Sequence, residues 1–144
     1  MSAEQNKSIV RRWVQEGWNS HNPAVADQFY TTDYVQHDAG QPPLQGREAL
    51  KQYVGMFLTG FPDLHFSTDE LIAEGDRVVW RFTSTATQTG PFMGIPPTGK
   101  RGVVPGIVVF RFEDSRIAEG WVNIDALGLL QQLGVIPMPG QPPA

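Results

Sequence analysis

The spacing of apolar residues changes once along the chain, close to Pro62, and this change constrains the fold more than any other feature. Before Pro62 apolar residues recur at helical spacing. Between residues 64 and 124, outside a loop at residues 89–102, they alternate with a period of two, which is the pattern of half-buried strands. Helices followed by meandering strands predict an α+β fold, with an antiparallel sheet curled around the helices.

Capping residues place the ends of the predicted helices. Ser2 and Gln5 can form a capping box for the first helix, and Asn22 followed by Pro23 can open a second, short helix. Asp125 can cap the last helix. The third helix is predicted at residues 47–59 and the last at residues 126–133.

Five strands are predicted, at residues 34–37, 64–73, 77–88, 103–112 and 116–124. The last four form two hairpins, and the loop at residues 89–102 separates them. Pro105 cannot donate a backbone hydrogen bond, so it is expected at a sheet edge or a bulge.

Composition excludes several classes of function. The net charge of −4 and the isoelectric point near 5.2 are untypical of a nucleic-acid-binding protein, which needs a basic face. The chain has no cysteine, and its three histidines are dispersed, so neither a metal nor a cofactor is expected. A polar N-terminus and the lack of a long apolar run predict a cytoplasmic protein without membrane contact.

The length of 144 residues fits one domain. This domain is predicted to span residues 1–135. The remaining residues, 136–144, contain four prolines and are predicted to form a proline-rich C-terminal tail.

Four stretches carry a resemblance to a known family: FYTTDYVQHD (29–38), FPDLHF with AEGDRVVWRF (61–66 and 73–82), TGPFMGIPPTGK (89–100) and IAEGWVNIDALGLLQQLG (117–134). They resemble the SnoaL-like polyketide and ester cyclases of the nuclear transport factor 2-like superfamily. The resemblance implies a cone-shaped sheet wrapped around three N-terminal helices, with a deep hydrophobic pocket inside the cone. It also implies a homo-oligomer, usually a dimer through the outer sheet face, and cofactor-independent acid/base chemistry on a carbonyl-rich or aromatic substrate.

The chain departs from this family at the residues that transfer protons. In the antibiotic cyclases an Asp and a His stand where this chain has Val122 and Val108, and many relatives carry a His where it has Gln88. The usual acid/base pair is therefore absent.

Two residues are candidates for a catalytic role. His37 has a side chain that titrates near neutrality, and it lies at the cone mouth if the resemblance holds, although it can equally be a surface residue. Asp125 resembles an acidic residue of the family's tryptophan motif, but a helix cap is the favoured interpretation.

The candidate substrate-binding residues come from three sources: the positions that the resemblance marks, their same-face neighbours on the strands, and aromatic side chains that can form walls. If Val108 and Val122 mark the cavity, Phe110 and Ile124 lie on the same face. The full set predicted to bind substrate is Trp80, Phe82, Gln88, Phe92, Val108, Phe110, Val122 and Ile124. The alternative is that the apolar members of this set only fill the core.

Three functions remain open on this basis. The first is an enzyme that resembles the cyclases, in which His37, with or without Asp125, moves a proton on a carbonyl compound, and the sequence leans towards an enzyme. The second is a non-catalytic protein that binds a small hydrophobic or aromatic ligand. The third, epoxide hydrolysis, needs a carboxylate that activates water. An ionisable side chain inside the cavity would separate the first from the second.

Overall fold

Four α-helices are seen in the computed structural model, which describes residues 2–140. They are α1 (Ala3–Trp13), α2 (Ala26–Phe29), α3 (Arg47–Gly60) and α4 (Ala126–Gln132). The predicted capping box is confirmed, since the Ser2 hydroxyl accepts from the Gln5 amide at 3.1 Å and the Gln5 side chain accepts from the Ser2 amide at 2.9 Å. Helix α1 continues as a π-helical turn, Val14–Asn19.

The second predicted helix forms from two consecutive short turns. A 3-10 turn, Pro23–Val25, precedes α2, and Pro23 opens it as predicted. The expected Asn22 cap is wrong, because the Asn22 side chain makes no capping hydrogen bond. None of these helices is long and apolar enough to cross a membrane, within the part of the chain that the structure describes.

Six strands form one curved sheet in the order β2-β1-β6-β5-β4-β3. Their bounds are β1 (Tyr30–Asp38), β2 (Leu44–Gln45), β3 (His65–Glu74), β4 (Arg77–Thr87), β5 (Arg101–Glu113) and β6 (Arg116–Ile124). Strands β3 to β6 pair antiparallel, as predicted. Strand β1 instead pairs parallel with β6, so the predicted α+β class is confirmed with one parallel pair added.

Pro105 lies inside the central strand β5 opposite Thr83, so the expectation of an edge or a bulge is wrong. Strand β6 ends beside it, because Ile124, its last residue, pairs with Gly106. The Pro105 carbonyl accepts from the Asp125 amide at 3.2 Å, on the β6 side. In an antiparallel strand the N–H and C=O of one residue point the same way. The side of Pro105 that lacks an N–H therefore points to a position beyond the last residue pair of β5 and β6, where no strand hydrogen bond is lost.

The helices cover the concave face of the sheet, and the core lies between them. Burial alternates along β4, where Val78, Trp80 and Phe82 are buried and Arg81 is exposed. This alternation is the period of two that the sequence shows. After α4 the chain forms no further helix or strand as far as residue 140, and the rest of the predicted tail, 141–144, lies outside the described residues.

Candidate functional site

A cavity lies between the concave sheet face and helices α1, α3 and α4, with a volume of about 80 Å³. A single water molecule needs roughly 10–15 Å³ of such space, so the cavity has room for several water-sized groups. Its lining residues are Trp13, Trp18, Tyr30, Gln36, Leu50, Tyr53, Phe57, Phe61, Leu64, Phe66, Trp80, Phe82, Ser84, Ala86, Gly102, Val104, Val108, Phe110, Val122, Ile124 and Leu129. The more exposed part of this wall consists of its half-buried residues, which are Tyr53 and Phe57 of α3, Phe66 of β3 and Ile124 of β6.

The wall is almost entirely hydrocarbon. Its polar groups are the side chains of Gln36 and Ser84, the phenols of Tyr30 and Tyr53, and the indole N–H groups of Trp13, Trp18 and Trp80. Ser84 is already engaged, since its hydroxyl donates to the Val104 carbonyl at 3.0 Å. Among the described lining residues there is no carboxylate, imidazole, ammonium or guanidinium group.

Six of the eight residues predicted to bind substrate lie in this wall. They are Trp80, Phe82, Val108, Phe110, Val122 and Ile124. The ladder between β5 and β6 pairs Val108 directly with Val122, so the two positions that carry His and Asp in the antibiotic cyclases are neighbours here. The family resemblance marked Val108 and Val122, and strand parity then placed Phe110 and Ile124 on the same face.

Gln88 does not line the cavity. The Gln88 side chain is fully buried, and its Nε2 donates to the carbonyls of Gly90, Ile95 and Pro96 at 3.2–3.3 Å. Its Oε1 accepts from the amide and hydroxyl of Thr98 at 3.3 and 2.8 Å. The amide therefore organises the loop at residues 89–100 and has no group left for a substrate carbonyl.

Phe92 also lies outside the cavity wall. The Phe92 ring packs against Phe57 and Phe61, with ring centroids 5.0 Å away in both cases. Gly60 makes this possible, because a Cβ there would stand 2.9 Å from the Phe92 Cβ. Phe92 thus supports two wall residues from behind.

His37 points to the outer face of the sheet, away from the cavity. The His37 Nε2 donates to Glu119 Oε2 at 2.7 Å, and the His37 ring stacks on Trp121 with centroids 5.4 Å apart. Arg111 Nε donates to the other oxygen of Glu119 at 3.0 Å. These bonds lower the pKa of Glu119, the one from His37 most. The surface interpretation of His37 therefore fits the geometry.

Asp125 caps helix α4. The Asp125 carboxylate accepts from the Gly128 amide at 2.9 Å, and the residue is exposed. A cap of this kind stabilises a helix end by about 1 kcal/mol. Neither candidate catalytic residue reaches the cavity.

The polar residues near the cavity were not anticipated from the sequence. Gln36 is buried in the wall, and it connects Tyr34 to Asp38: the Tyr34 hydroxyl donates to Gln36 Oε1 at 2.9 Å, and Gln36 Nε2 donates to Asp38 Oδ2 at 3.2 Å. Tyr53 of α3 lines the same cavity as Gln36. The signal was present, because Tyr34, Gln36 and Asp38 alternate along β1 and must share a face.

Burial disfavours charge throughout this cluster. Desolvation raises the pKa of Tyr30 and of Tyr34 well above the usual range of a phenol. It also raises the pKa of Tyr53, and the Asp38 charge adds to that effect while the Gln36 side chain opposes it. The pKa of Asp38 is raised by burial, against a smaller lowering by the bond from Gln36.

Gly120 makes room for this cluster. Strand pairing sets Gly120 beside Gln36 and sets Val122 beside Asp38. A Cβ at Gly120 would collide with the Tyr34 hydroxyl, so the missing side chain lets that hydroxyl reach Gln36. Among residues 2–140 no three His, Asp or Glu side chains come close enough together to hold a metal ion.

Solved structures of similar sequence share this fold over almost the whole chain. A candidate SnoaL-like polyketide cyclase from Jannaschia sp. CCS1 is 27% identical with a TM-score of 0.87, and the match covers 94% of this chain and 95% of that one. A candidate polyketide cyclase from Acidithiobacillus ferrooxidans is 32% identical with a TM-score of 0.82, covering 94% and 99%. AclR from Streptomyces galilaeus, described as a candidate hydroxylase, is 30% identical with a TM-score of 0.84, covering 95% and 85%.

No curated protein sequence matches the chain. The family model of the SnoaL-like polyketide cyclases matches residues 8–133, which is most of its length. The sheet, the enclosed cavity and the similar structures agree with that match. This chain belongs to the SnoaL-like polyketide cyclase family.

Proposed function

We propose that the protein binds a small hydrophobic or aromatic molecule in the cavity, and that it does not transfer protons to this molecule by the usual pair of the antibiotic cyclases. The observation that carries the proposal is the chemistry of the wall. Its described residues are aliphatic, aromatic or neutral polar, and the two decisive positions are Val122 and Val108. Binding is driven by removal of apolar surface from water, at roughly 25 cal/mol per Å².

The wall also bears on the two catalytic alternatives. His37 and Asp125 are bonded to Glu119 and to the amide of Gly128, outside the cavity. Epoxide hydrolysis needs a carboxylate that activates water within reach of the substrate. The described wall offers none, so ligand binding is the better supported function.

Tryptophan fluorescence gives a direct test. Trp13, Trp18 and Trp80 line the cavity, so a bound naphthalene derivative such as 2-acetylnaphthalene is expected to quench their emission and to saturate. Val104→Phe fills the cavity and is expected to abolish quenching.

The matched control is Val103→Phe on the same strand. Val103 is exposed on the outer face and Val104 is buried in the wall. The control should retain binding, and circular dichroism should show that both variants are folded. Equal binding by both variants would contradict the cavity as the site, and turnover of a linear polyketone that is lost in His37→Ala would contradict the non-catalytic assignment.

We also propose that the protein is a homodimer in the cytoplasm. The support is the outer sheet face, where Ile72, Val103 and Ile107 are 52%, 42% and 42% exposed. Apolar patches of this kind commonly mark contact surfaces. Light scattering should give about twice the chain mass of 16.0 kDa, and a mass of one chain at micromolar concentration would contradict the dimer.

A further inference from the structure

The indole of Trp18 bridges helix α3 and strand β3 on one side of the cavity. Its ring centroid lies 4.9 Å from that of Phe66 on β3 and 6.2 Å from that of Phe57 on α3, and all three rings line the cavity. Strand β3 is the last strand of the sheet, so no further strand covers this side. Phe57 and Phe66 are half-buried, whereas Trp18 is only 8% exposed. Trp18 therefore spans the space between the sheet edge and α3.

Trp18 reaches this position because the helix that carries it changes its winding. In the π-helical turn, Val14–Asn19, a backbone bond joins residues five apart, from the Ser20 amide to the Gln15 carbonyl at 3.0 Å. On a continuous α-helix Trp13 and Trp18 would point about 140° apart around the axis. In the structure both line the cavity, and their ring centroids are 6.4 Å apart. The π turn therefore directs Trp18 inward.

Gly17, inside the π turn, is required by the packing of Trp13. A Cβ at Gly17 would overlap the six-membered ring of Trp13, so the missing side chain lets that ring lie across the turn. Glycine also has the widest range of backbone conformations. Single π turns are rare and often occur at functional sites. The segment is therefore suited to act as a hinge directly before Trp18.

The end of the π turn is fastened to the edge of the sheet by two side chains. Asn19 Nδ2 donates to the Phe66 carbonyl at 3.0 Å, and Asn19 Oδ1 accepts from the Phe66 amide at 2.8 Å. This side-chain amide takes the place that a neighbouring strand would have beside β3. His21 Nε2 donates to the Leu64 carbonyl at 3.0 Å. His21 has a φ of 55°, which is uncommon for a residue other than glycine and needs such bonds to persist.

We propose that Trp18 is the gate of the cavity, that the π turn is its hinge, and that Asn19 is the latch that keeps the gate closed. The inference rests on the function proposed above and adds the route by which the ligand enters. Opening releases the Asn19 amide from Phe66 and lets the turn rewind towards an α-helix. This rewinding rotates the indole away from Phe57 and opens the cavity between α3 and β3.

The loop at residues 89–100 packs against the same part of the wall through Phe92 and Phe57, but it is poorly suited to open. The fully buried Gln88 holds this loop by five hydrogen bonds, and opening would leave buried polar groups without partners. The bonds of Asn19 lie at the sheet edge, where Asn19 and Phe66 are both half-buried. Water can replace these bonds at a smaller cost. This difference favours the gate at Trp18 over an opening at the loop.

Stopped-flow fluorescence of the full chain with 2-acetylnaphthalene measures the rates of ligand entry and exit. In Asn19→Ala the association and dissociation rate constants should both rise about tenfold, the factor expected for the net loss of about one hydrogen bond from the closed state. The dissociation constant should change by less than about threefold, because the latch does not line the cavity. A purely structural role of Asn19 would weaken binding without making entry faster.

Gln132→Ala is the matched control, because Gln132 of α4 bonds to another strand edge in the same way. Its Oε1 accepts from the Val103 amide at 2.7 Å, and its Nε2 donates to the Val103 carbonyl at 2.9 Å. The control removes the same pair of bonds from a different helix and strand. Both rate constants should therefore remain those of the unmodified protein.

Trp18→Phe gives a second test, which holds even if Asn19→Ala fails to fold. The smaller ring shortens the bridge between Phe57 and Phe66, so entry and exit should again both become faster. Trp13 and Trp80 still line the cavity in this variant and report binding.

The outcomes separate the two proposals. If the unmodified protein does not bind 2-acetylnaphthalene, the proposed function fails and the gate fails with it. If it binds and neither Asn19→Ala nor Trp18→Phe changes the rates, the cavity stands and the gate is wrong. Faster entry and exit in Gln132→Ala, with unchanged rates in Asn19→Ala, would place the entrance beside α4 and overturn the inference.

Discussion

The two faces of strand β5 have opposite chemistry, although they are built from the same residues in alternation. On the inner face Val108 and Phe110 are buried against aromatic rings of the wall. On the outer face Arg111 forms an ion pair with Glu119 at 3.0 Å, and Ile107 is 42% exposed. In a sheet with one buried face, charges stay outside because burying them without a partner costs several kcal/mol.

This contrast matters for function because most titratable side chains follow it. Asp38 is an exception, since it shares the inner side of β1 with Gln36, but it does not line the cavity. His37 and Glu119 are on the outer face, and the inner cluster keeps its phenols protonated. The antibiotic cyclases carry their acid/base pair at the two positions of this face where the chain has Val122 and Val108, and both of these residues line the cavity. The chain has therefore kept the packing of this face without that pair.

The largest difference between the two faces is expected in the free energy of unfolding of two alanine variants on β5. Phe110→Ala removes a buried ring that stacks near Trp80, with centroids 6.2 Å apart, and should reduce the free energy of unfolding by about 3–5 kcal/mol. Ile107→Ala, three positions earlier on the outer face, should cost less than about 1 kcal/mol.

Urea unfolding followed by circular dichroism measures both variants. The comparison would be contradicted if the two losses were equal. Since Ile107 lies on the face proposed for the dimer, both measurements should be made at the same protein concentration.

Much of this architecture could be predicted, and the reason is periodicity. The strands at residues 77–88 and 116–124 were placed within one residue of β4 and β6, because alternation is strong where one face is buried. The parallel pairing of β1 with β6 could not be predicted, since it joins segments about 80 residues apart in sequence and depends on tertiary packing. Pro105 was misplaced for the same reason, because the end of β6 decides where a missing N–H is tolerated.

The buried tyrosines give a second test of the difference between the inner and outer faces. The chain has three tyrosines, and burial raises the pKa of all three: Tyr30, Tyr34 and Tyr53. A raised pKa in the folded state contributes stability that is present below the unfolded value near 10 and is lost as pH rises above it. Above pH 10 the free energy of unfolding should therefore fall by up to about 1.4 kcal/mol per tyrosine for each pH unit.

Absorbance at the phenolate band is the measurement. We expect no phenolate in the native protein near pH 10, and its appearance together with the loss of ellipticity at higher pH. Denatured protein in urea, titrated in parallel, supplies the ordinary phenol curve. Ionisation of a tyrosine near pH 10 in the folded protein would show that the inner face is wetter than the structure indicates.

The site was less predictable than the fold. Trp80 and Phe82 were named as aromatic residues, Val108 and Val122 came from the family resemblance, and parity added Phe110 and Ile124. The prediction that Gln88 binds substrate was wrong, because its side chain makes five hydrogen bonds to the loop at residues 89–100. The sequence does not show that this loop folds back onto Gln88. Gln36 and Tyr53 come from a strand and a helix, and only the tertiary structure shows that both line the cavity.

The smallest effect is expected on the outer face, where His37→Ala removes the 2.7 Å contact with Glu119 and the stacking on Trp121. The pKa of Glu119 is lowered by His37 first and by Arg111 second, so the ion pairs contribute stability above the unfolded value near 4.5, and this contribution is lost as pH falls below it. Glu119 is partly exposed and keeps its bond to Arg111, so the loss of unfolding free energy at pH 7 should be under about 1 kcal/mol.

Urea unfolding of His37→Ala and of the unmodified protein, at pH 7 and at pH 3, is the measurement. The two proteins should differ in unfolding free energy at pH 7, and this difference should shrink at pH 3. The affinity for 2-acetylnaphthalene should not change, because neither side of this contact reaches the cavity. A variant that kept its stability and lost ligand binding would instead connect His37 to the cavity, and the separation of the two faces would no longer hold.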